Sequence, residues 1–142
     1  MMKINDVLQS KSKDLGTIHP RETAYYALEI MAEKNIGALP VIDEEKIVGI
    51  FSERDYARKV ILKGKSSRET SVSELMTKEV YSISPDKSVE ECLALMTAAK
   101  CRYITVIENG KLVGFLSMGD VVYAIISEQK VTIQDLEHYM SG

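Results

Sequence analysis

The sequence predicts a mixed α/β (α+β) fold made of two copies of one small unit. Two observations carry that prediction: the chain aligns with itself, and each copy strings together an amphipathic helix, two short apolar runs and a second helix. With Pro20 placed over Pro85, an offset of 65 residues, Ile18–Ile61 matches Ile83–Ile126 without a gap, and twelve pairs are identical. They include Leu28/Leu93, Met31/Met96, Val41/Val106, Gly49/Gly114, Ser52/Ser117 and Asp55/Asp120. Self-similarity at a fixed offset marks one structural unit used twice. A shorter echo precedes each copy, "INDVL" at Ile4–Leu8 and "VSELM" at Val72–Met76, at an offset of 68, so the opening loops differ in length.

Each element has a local reason. After a short early strand around Ile18 or Ile83, Thr23 caps a helix whose apolar positions Ala24, Ala27, Leu28 and Met31 fall at i, i+3, i+4 and i+7. Val89, Cys92, Leu93 and Met96 repeat that stripe, and Ser88 with Glu91 has the spacing of a capping box. Leu39–Ile42 and Ile47–Phe51 then read as strands around the charged turn "DEEK". In the second copy Tyr103–Ile107 and Leu112–Leu116 flank Asn109-Gly110, a strong hairpin signal. A second helix follows each pair, Arg54–Leu62 or Gly119–Ile126. A two-stranded hairpin is marginal alone, so the two copies are expected to fold as one unit.

The repeats divide the chain into residues 1–64, a connection at 65–71, and 72–142 with a helical tail. The polar stretch Lys63–Ser71 reads as a solvated connection, or as a source of phosphate or partner contacts through Lys63, Lys65 and Arg68. In the tail, Ile133, Leu136 and Met140 make an apolar stripe for the other half or for a second subunit.

Composition narrows the function. An apolar content of 45% with 27% charged residues is that of a soluble globular chain, and no apolar run is long enough to span a bilayer. The N-terminus lacks the pattern of a secretory signal, which points to the cytoplasm. A net charge of −3 argues against sequence-independent nucleic-acid binding. Cys92 and Cys101 lack metal-ligand spacing and read as small core residues in a reducing compartment. His19 and His138 lack convergent partners, so neither a catalytic group nor a metal site is expected.

The repeated Ser-x-x-Asp, Ser52/Asp55 and Ser117/Asp120, is open to two readings. A serine at a strand end, just before a helix, can present its hydroxyl and the helix's first N–H groups to a phosphate. An ionised aspartate three residues on can accept from both hydroxyls of a ribose. The same spacing is also a capping box, in which each pair satisfies only its own backbone.

The segments "IGALPVID", "KIVGIFSERD", "RYITVIE" and "KLVGFLSMGD" resemble two cystathionine-β-synthase-type (CBS) domains in tandem, the arrangement called a Bateman module. The resemblance covers nearly the whole chain, and "GIFSERDYARKVILKGKSSRETSVSELM" is similar to the stand-alone bacterial members. It implies halves packed sheet to sheet with pseudo-two-fold symmetry, two clefts for adenosine-containing ligands, and a homodimer. Carried onto this sequence, it gives Asp55 and Asp120 the ribose hydroxyls, and Ser52 and Ser117 a phosphate or ribose contact. Thr17, Ile18 and Ile83 would line the base, with Gly37, Ala38, Leu39 and Pro40, or Arg102, Tyr103 and Ile104, flanking the adenine. Arg54, Arg58 and Arg102 are phosphate candidates, or members of a solvated face. The copies depart from one another: Thr105 stands for Pro40, Gly119 for Arg54 and Tyr123 for Arg58, so the two clefts are expected to differ.

The resemblance implies a regulatory module, not an enzyme, that binds AMP, ADP, ATP or NAD(H) and signals to an effector protein or through its oligomeric state. The competing readings are a structural adaptor whose Ser-x-x-Asp motifs are only caps, and a nucleotide hydrolase. The absence of a recognisable base or metal set counts against the hydrolase.

Overall fold

The computed structural model describes residues 2–11 and 15–141; in the last helix, the side chains described beyond residue 129 are those of Glu137 and His138. The chain forms two compact units, Asp14–Val80, and Met1–Lys13 with Tyr81–Gly142. These units regroup the sequence repeats: the segment preceding each repeat folds with the other one.

In the first unit, α2 (Ala24–Lys34) follows α1 (Ile4–Ser10, of the other unit) in chain order and begins at Thr23, whose side chain accepts from the Tyr26 N–H at 3.2 Å. It ends at Asn35, which takes a left-handed φ of 54°, a conformation asparagine tolerates well. Strands β1 (Ala38–Asp43) and β2 (Lys46–Ser52) pair antiparallel, from Ala38 opposite Ser52 to Asp43 opposite Lys46, with a bulge at Val41/Ile42. Their two-residue turn puts Glu44 and Glu45 at φ 49° and 66°. Helix α3 (Glu53–Tyr56) then widens into a π-helical turn at Ala57–Ile61, where a continuous α-helix was expected.

The early strand of this copy is reduced to a single bridge between Ile18 and Val41. Pro40 is the physical reason. In the second copy the N–H of Thr105, at the equivalent position, donates to Tyr81 O at 3.0 Å and extends the pairing into a short parallel strand, β3 (Ser82–Ile83). Pro40 has no N–H to give.

The connection after residue 62 is more than a solvated linker. Its carbonyls Thr70 O and Ser67 O accept from the N–H groups of Ala24 and Tyr25 at 2.9 and 2.8 Å, satisfying donors that open α2 without intrahelical partners. Thr70 is buried, and the Arg68 guanidinium lies 4.0 Å from the centroid of the Tyr25 ring. The short helix α4 (Val72–Leu75) sinks Val72 and Leu75 into the core formed by Ile18, Ala24, Ala27, Met31, Leu39, Val41, Phe51 and Val60.

The second unit repeats this plan with a segment from the far end of the sequence. Helix α1 buries Ile4 and Val7 among Val89, Cys92, Met96, Ile104, Val106, Leu116, Val121 and Ala124. Its attachments copy those of α4: Ile4 N–H to Lys87 O and Asn5 N–H to Pro85 O, both 2.9 Å, match Val72 N–H to Glu22 O and Ser73 N–H to Pro20 O at 2.8 and 2.9 Å. Helix α5 (Val89–Ala99) begins at Ser88, whose Oγ accepts from Glu91 N–H at 3.0 Å. β4 (Tyr103–Glu108) and β5 (Lys111–Ser117) are joined by Asn109-Gly110 at φ 52° and 77° and carry the same bulge, at Val106/Ile107. Helix α6 runs unbroken over Met118–Ser141, so the expected stop near Ile126 does not occur; the tail side chains Ile133, Leu136 and Met140 lie outside the described residues. Burial pushes the Cys92 thiol up to about 11, in keeping with its core position, and raises that of Cys101, which is only half-buried against the same core and not within it as expected.

The repeated strand glycines show why the echo segments matter. A Cβ on Gly49 would lie 2.7 Å from Met76 Sδ and 3.0 Å from the Thr77 carbonyl oxygen, and a Cβ on Gly114 would overlap the Leu8 methyl groups. Leu8 and Met76 are the last residues of the two echoes. Two predictions follow from this packing and from the turns. Gly49→Ala costs about 1–3 kcal/mol by overpacking, and because a backbone oxygen blocks it, Met76→Ala relieves only part. Gly114→Ala is relieved more fully by Leu8→Ala, which a double-mutant cycle in urea reads as coupling within each pair and none between Gly114 and Met76. Replacing Glu44-Glu45 by Asn-Gly, the pair nature uses in the second copy, stabilises the chain by about 0.5–1 kcal/mol by removing the cost of two left-handed glutamates, measured by the same unfolding curves.

Candidate functional site

Cross-strand register builds the candidate site in each unit. Pairing Ala38 with Ser52, and Tyr103 with Ser117, brings the start of the first long strand beside the Ser-x-x-Asp turn. Glu53 N–H donates to Gly37 O at 3.0 Å and Met118 N–H to Arg102 O at 2.8 Å, locking the two loops together. Residues far apart in sequence, Gly37–Ala38 with Ser52–Asp55 and Arg102–Tyr103 with Ser117–Asp120, thus meet at one edge of each unit.

Both motifs form capping boxes. Asp55 N–H donates to Ser52 Oγ at 3.1 Å, and Ser52 N–H to Asp55 Oδ2 at 2.9 Å. The second copy has the same pair of bonds, Asp120 N–H to Ser117 Oγ at 3.0 Å and Ser117 N–H to Asp120 Oδ2 at 2.8 Å. Beyond the cap, the two aspartates differ.

Asp55 is saturated. Its Oδ2 also accepts from Ser52 Oγ at 3.0 Å, while Oδ1 takes Thr77 Oγ1 and the Lys59 ammonium, each at 3.1 Å. Its side chain is 11% exposed. Lys59 is further tied to Leu75 O at 2.9 Å, so the group braces α4 as well as the cap.

Asp120 is more open, at 31% side-chain exposure. Its cation comes from elsewhere: Lys11 Nζ lies 2.7 Å from Oδ2 and 3.2 Å from Phe115 O. Burial opposes ionisation of Asp120, but the Lys11 hydrogen bond and charge and the Ser117 N–H outweigh it and hold the carboxyl below its ordinary value of 3.8. Phe115 in turn stacks on Tyr103, with ring centroids 5.5 Å apart and planes within 8°. One cluster therefore gathers a carboxylate, an ammonium, a serine hydroxyl and a flat aromatic pair. Position for position, the first unit has Ala38 and Ile50 where the aromatic pair stands.

The other expected residues divide by burial. Arg54, Arg58, Arg102 and Thr17 are exposed. Ile18, Ala38, Leu39 and Ile104 are buried, with Ile18 and Leu39 in one core and Ile104 in the other, so their side chains serve the cores. Pro40 is buried, and Ile83 and Gly37 are half-buried. Sequence reasoning missed Lys59, Thr77, Lys11 and Phe115. Lys59 was legible, because an acid followed four residues later by a lysine on a helix is a favourable pair. Lys11 was not, being 109 positions from Asp120. His19 stays partly exposed and makes local contacts: its Nδ1 accepts from Arg21 N–H at 3.1 Å and its Nε2 lies 3.3 Å from Asp43. Among the described residues no cluster of three or more His, Cys, Asp or Glu has metal-binding geometry, and no helix is long and apolar enough to cross a membrane.

Comparison with known proteins gives one consistent result. The family profile of the CBS domain matches residues 4–62 and 72–127. Among curated proteins, the mitochondrial CBS domain-containing protein CBSX3 of Arabidopsis thaliana is 36% identical over 98% of this chain and 72% of its own length. The CBS domain-containing protein YhcV of Bacillus subtilis is 28% identical over 89% of each. Among solved structures, a protein with CBS domains from Burkholderia ambifaria superposes with a TM-score of 0.85 at 42% identity, covering 90% of this chain and 96% of that one. CBSX2, solved in complex with AMP, superposes with a TM-score of 0.72 at 28% identity, covering 91% and 99%.

The Lys11–Asp120 pair makes stability depend on pH in a defined direction. Since the folded carboxyl titrates below its ordinary 3.8, its contribution is complete above that value and is lost as pH falls through the lower, folded one. Lys11→Met is expected to be less stable than the natural chain by about 1 kcal/mol or less at neutral pH. That difference closes in acid, below the ordinary carboxylate range, and a gap of constant size down to the acid transition would contradict it in urea titrations run across pH.

Proposed function

The chain belongs to the CBS-domain family, and from that premise we propose that it is a regulatory module, not an enzyme, that binds an adenine nucleotide of the AMP, ADP, ATP or NAD(H) type through the Asp120 cluster of its second unit. The observation that carries the reading is that cluster. A ribose diol needs an ionised carboxylate with acceptor capacity left over, and Asp120 is held ionised and stays partly exposed. An adenine needs a flat apolar neighbour, and Tyr103 and Phe115 are stacked beside it. Phosphate needs cations, and Arg102 is exposed at the adjoining strand start. The structurally similar CBSX2 bound to AMP supports the ligand class.

The first unit supports a different use of the same motif. With four donors on one carboxylate, Asp55 serves as a brace for the cap and for α4, so the two copies are functionally unequal. A nucleotide shifts the population toward the conformer that binds it best, and the output is a change in homodimerisation or in the binding of an effector protein. On α6, Val122, Tyr123 and Ile126 form an exposed apolar stripe suited to such a contact.

Thermal unfolding of nucleotide-free protein with AMP, ADP, ATP, NAD and NADH tests the reading. A ligand at a hundred times its Kd adds about 2.7 kcal/mol. The ligand-induced increment, taken for each variant against its own ligand-free melt so that loss of the cap cancels, is expected to vanish in Asp120→Asn and to persist in Asp55→Asn. If no adenine nucleotide stabilises the natural chain, the adaptor reading takes its place.

A further inference from the structure

Building on the nucleotide reading above, we propose that Lys11 is the charge-selecting residue of the second unit's site: its ammonium contacts the phosphate of a nucleotide whose ribose sits on Asp120, so that the site prefers anionic nucleotides to the uncharged nucleoside.

The two copies carry the same pairing of aspartate and lysine, but they reach it by different routes. In the first, Lys59 comes from the next helical turn, 3.1 Å from Asp55. The equivalent position in the second copy is Ala124, and the lost cation is replaced by Lys11 from the segment after α1, at 2.7 Å. A capping box requires only its serine and its acid. A half-exposed ion pair adds little to stability, so the cap and the fold are weak reasons by themselves for an ammonium at this carboxylate.

The chemistry of an incoming nucleotide does account for it. An unpaired Asp120 would repel a phosphate brought near it by the ribose; Lys11 neutralises that charge. A lysine ammonium has three donors. Two are directed at Asp120 Oδ2 and Phe115 O, which leaves one for an oxygen of the ligand. The side chain is 36% exposed and within reach of solvent. The need for a cation is greater in this unit, because Gly119 and Tyr123 occupy the positions of Arg54 and Arg58. Lys11 also holds the main-chain carbonyl of Phe115, whose ring stacks on Tyr103, so the cation lies between the carboxylate for the sugar and the strand that carries the aromatic wall.

Calorimetric titration of the full chain with AMP and with adenosine separates this role from a purely structural one. Lys11→Met is expected to weaken AMP about tenfold or more, the weight of one charge-assisted hydrogen bond, and to leave adenosine nearly unchanged. Lys11→Arg restores most of the AMP affinity. Where two binding events occur, the relevant one is that lost in Asp120→Asn. Equal weakening of AMP and adenosine overturns the proposal, since Lys11 then acts only by placing Asp120; so does an unchanged preference for AMP in Lys11→Met. Failure of the natural chain to bind either compound is a separate result, which removes the nucleotide reading itself.

Discussion

The contact between each strand glycine and the segment that precedes the opposite repeat is the constraint on which the rest of the structure depends. Gly49 in β2 receives Met76, and Gly114 in β5 receives Leu8. A hairpin with one helix has too little apolar surface to stand alone. Adding α4 to the first unit and α1 to the second supplies the missing layer: Val72 and Leu75 in one core, Ile4 and Val7 in the other, all essentially buried. Each such aliphatic side chain contributes about 1.5–3 kcal/mol when removed from water. The closeness of that approach leaves no room for a Cβ, which is the physical content of a glycine repeated inside a strand.

The same contact sets the chemistry of the site. Because each echo segment runs past the strand end, the residues after it reach the Ser-x-x-Asp cap: Thr77, directly after its echo, reaches Asp55, and Lys11, two residues further along than the counterpart of Thr77, reaches Asp120. A hydroxyl and an ammonium, supplied from different positions after the two echoes, have unequal effects. In the first unit, Thr77 joins Lys59 in filling the carboxylate, and the acid becomes part of the scaffold. In the second, one ammonium supplies the charge and the carboxylate stays partly open. A duplicated motif has therefore diverged through the segment packed against it, with the serine and the aspartate unchanged. The substitutions Gly119 for Arg54 and Tyr123 for Arg58 fit the same divergence, moving positive charge from the helix to the N-terminal segment.

Backbone chemistry explains the smaller asymmetries. Pro40 withholds the N–H that Thr105 donates, so one copy has a parallel strand where the other has a bridge. The connection at Lys63–Ser71 reads as polar and solvated because its side chains are; its buried work is done by the carbonyls of Ser67 and Thr70, which side-chain character does not reveal. The widened turn at Ala57–Ile61 likewise has no signature in apolar spacing.

By itself, and leaving aside the echo-segment helices α1 and α4, which it did not reveal, the sequence determined the repeat, the order of elements within each copy, both hairpin turns and the family. Those follow from local physics: the period of apolar residues, caps within three or four positions, and turn residues suited to positive φ. It also offered the helix cap as one of two readings of Asp55 and Asp120, since such a box closes within three residues, and the structure closes both boxes. Only the tertiary structure decided which echo segment serves which repeat, and hence that Lys11 pairs with Asp120, that Thr77 completes Asp55, and that Phe115 lies on Tyr103. These contacts join residues whose separation along the chain carries no periodic signal, and the difference between the two carboxylates arises from donors that approach through space. The motif was legible because it is local; its two roles were not, because electrostatics and burial are set by whatever the fold brings alongside.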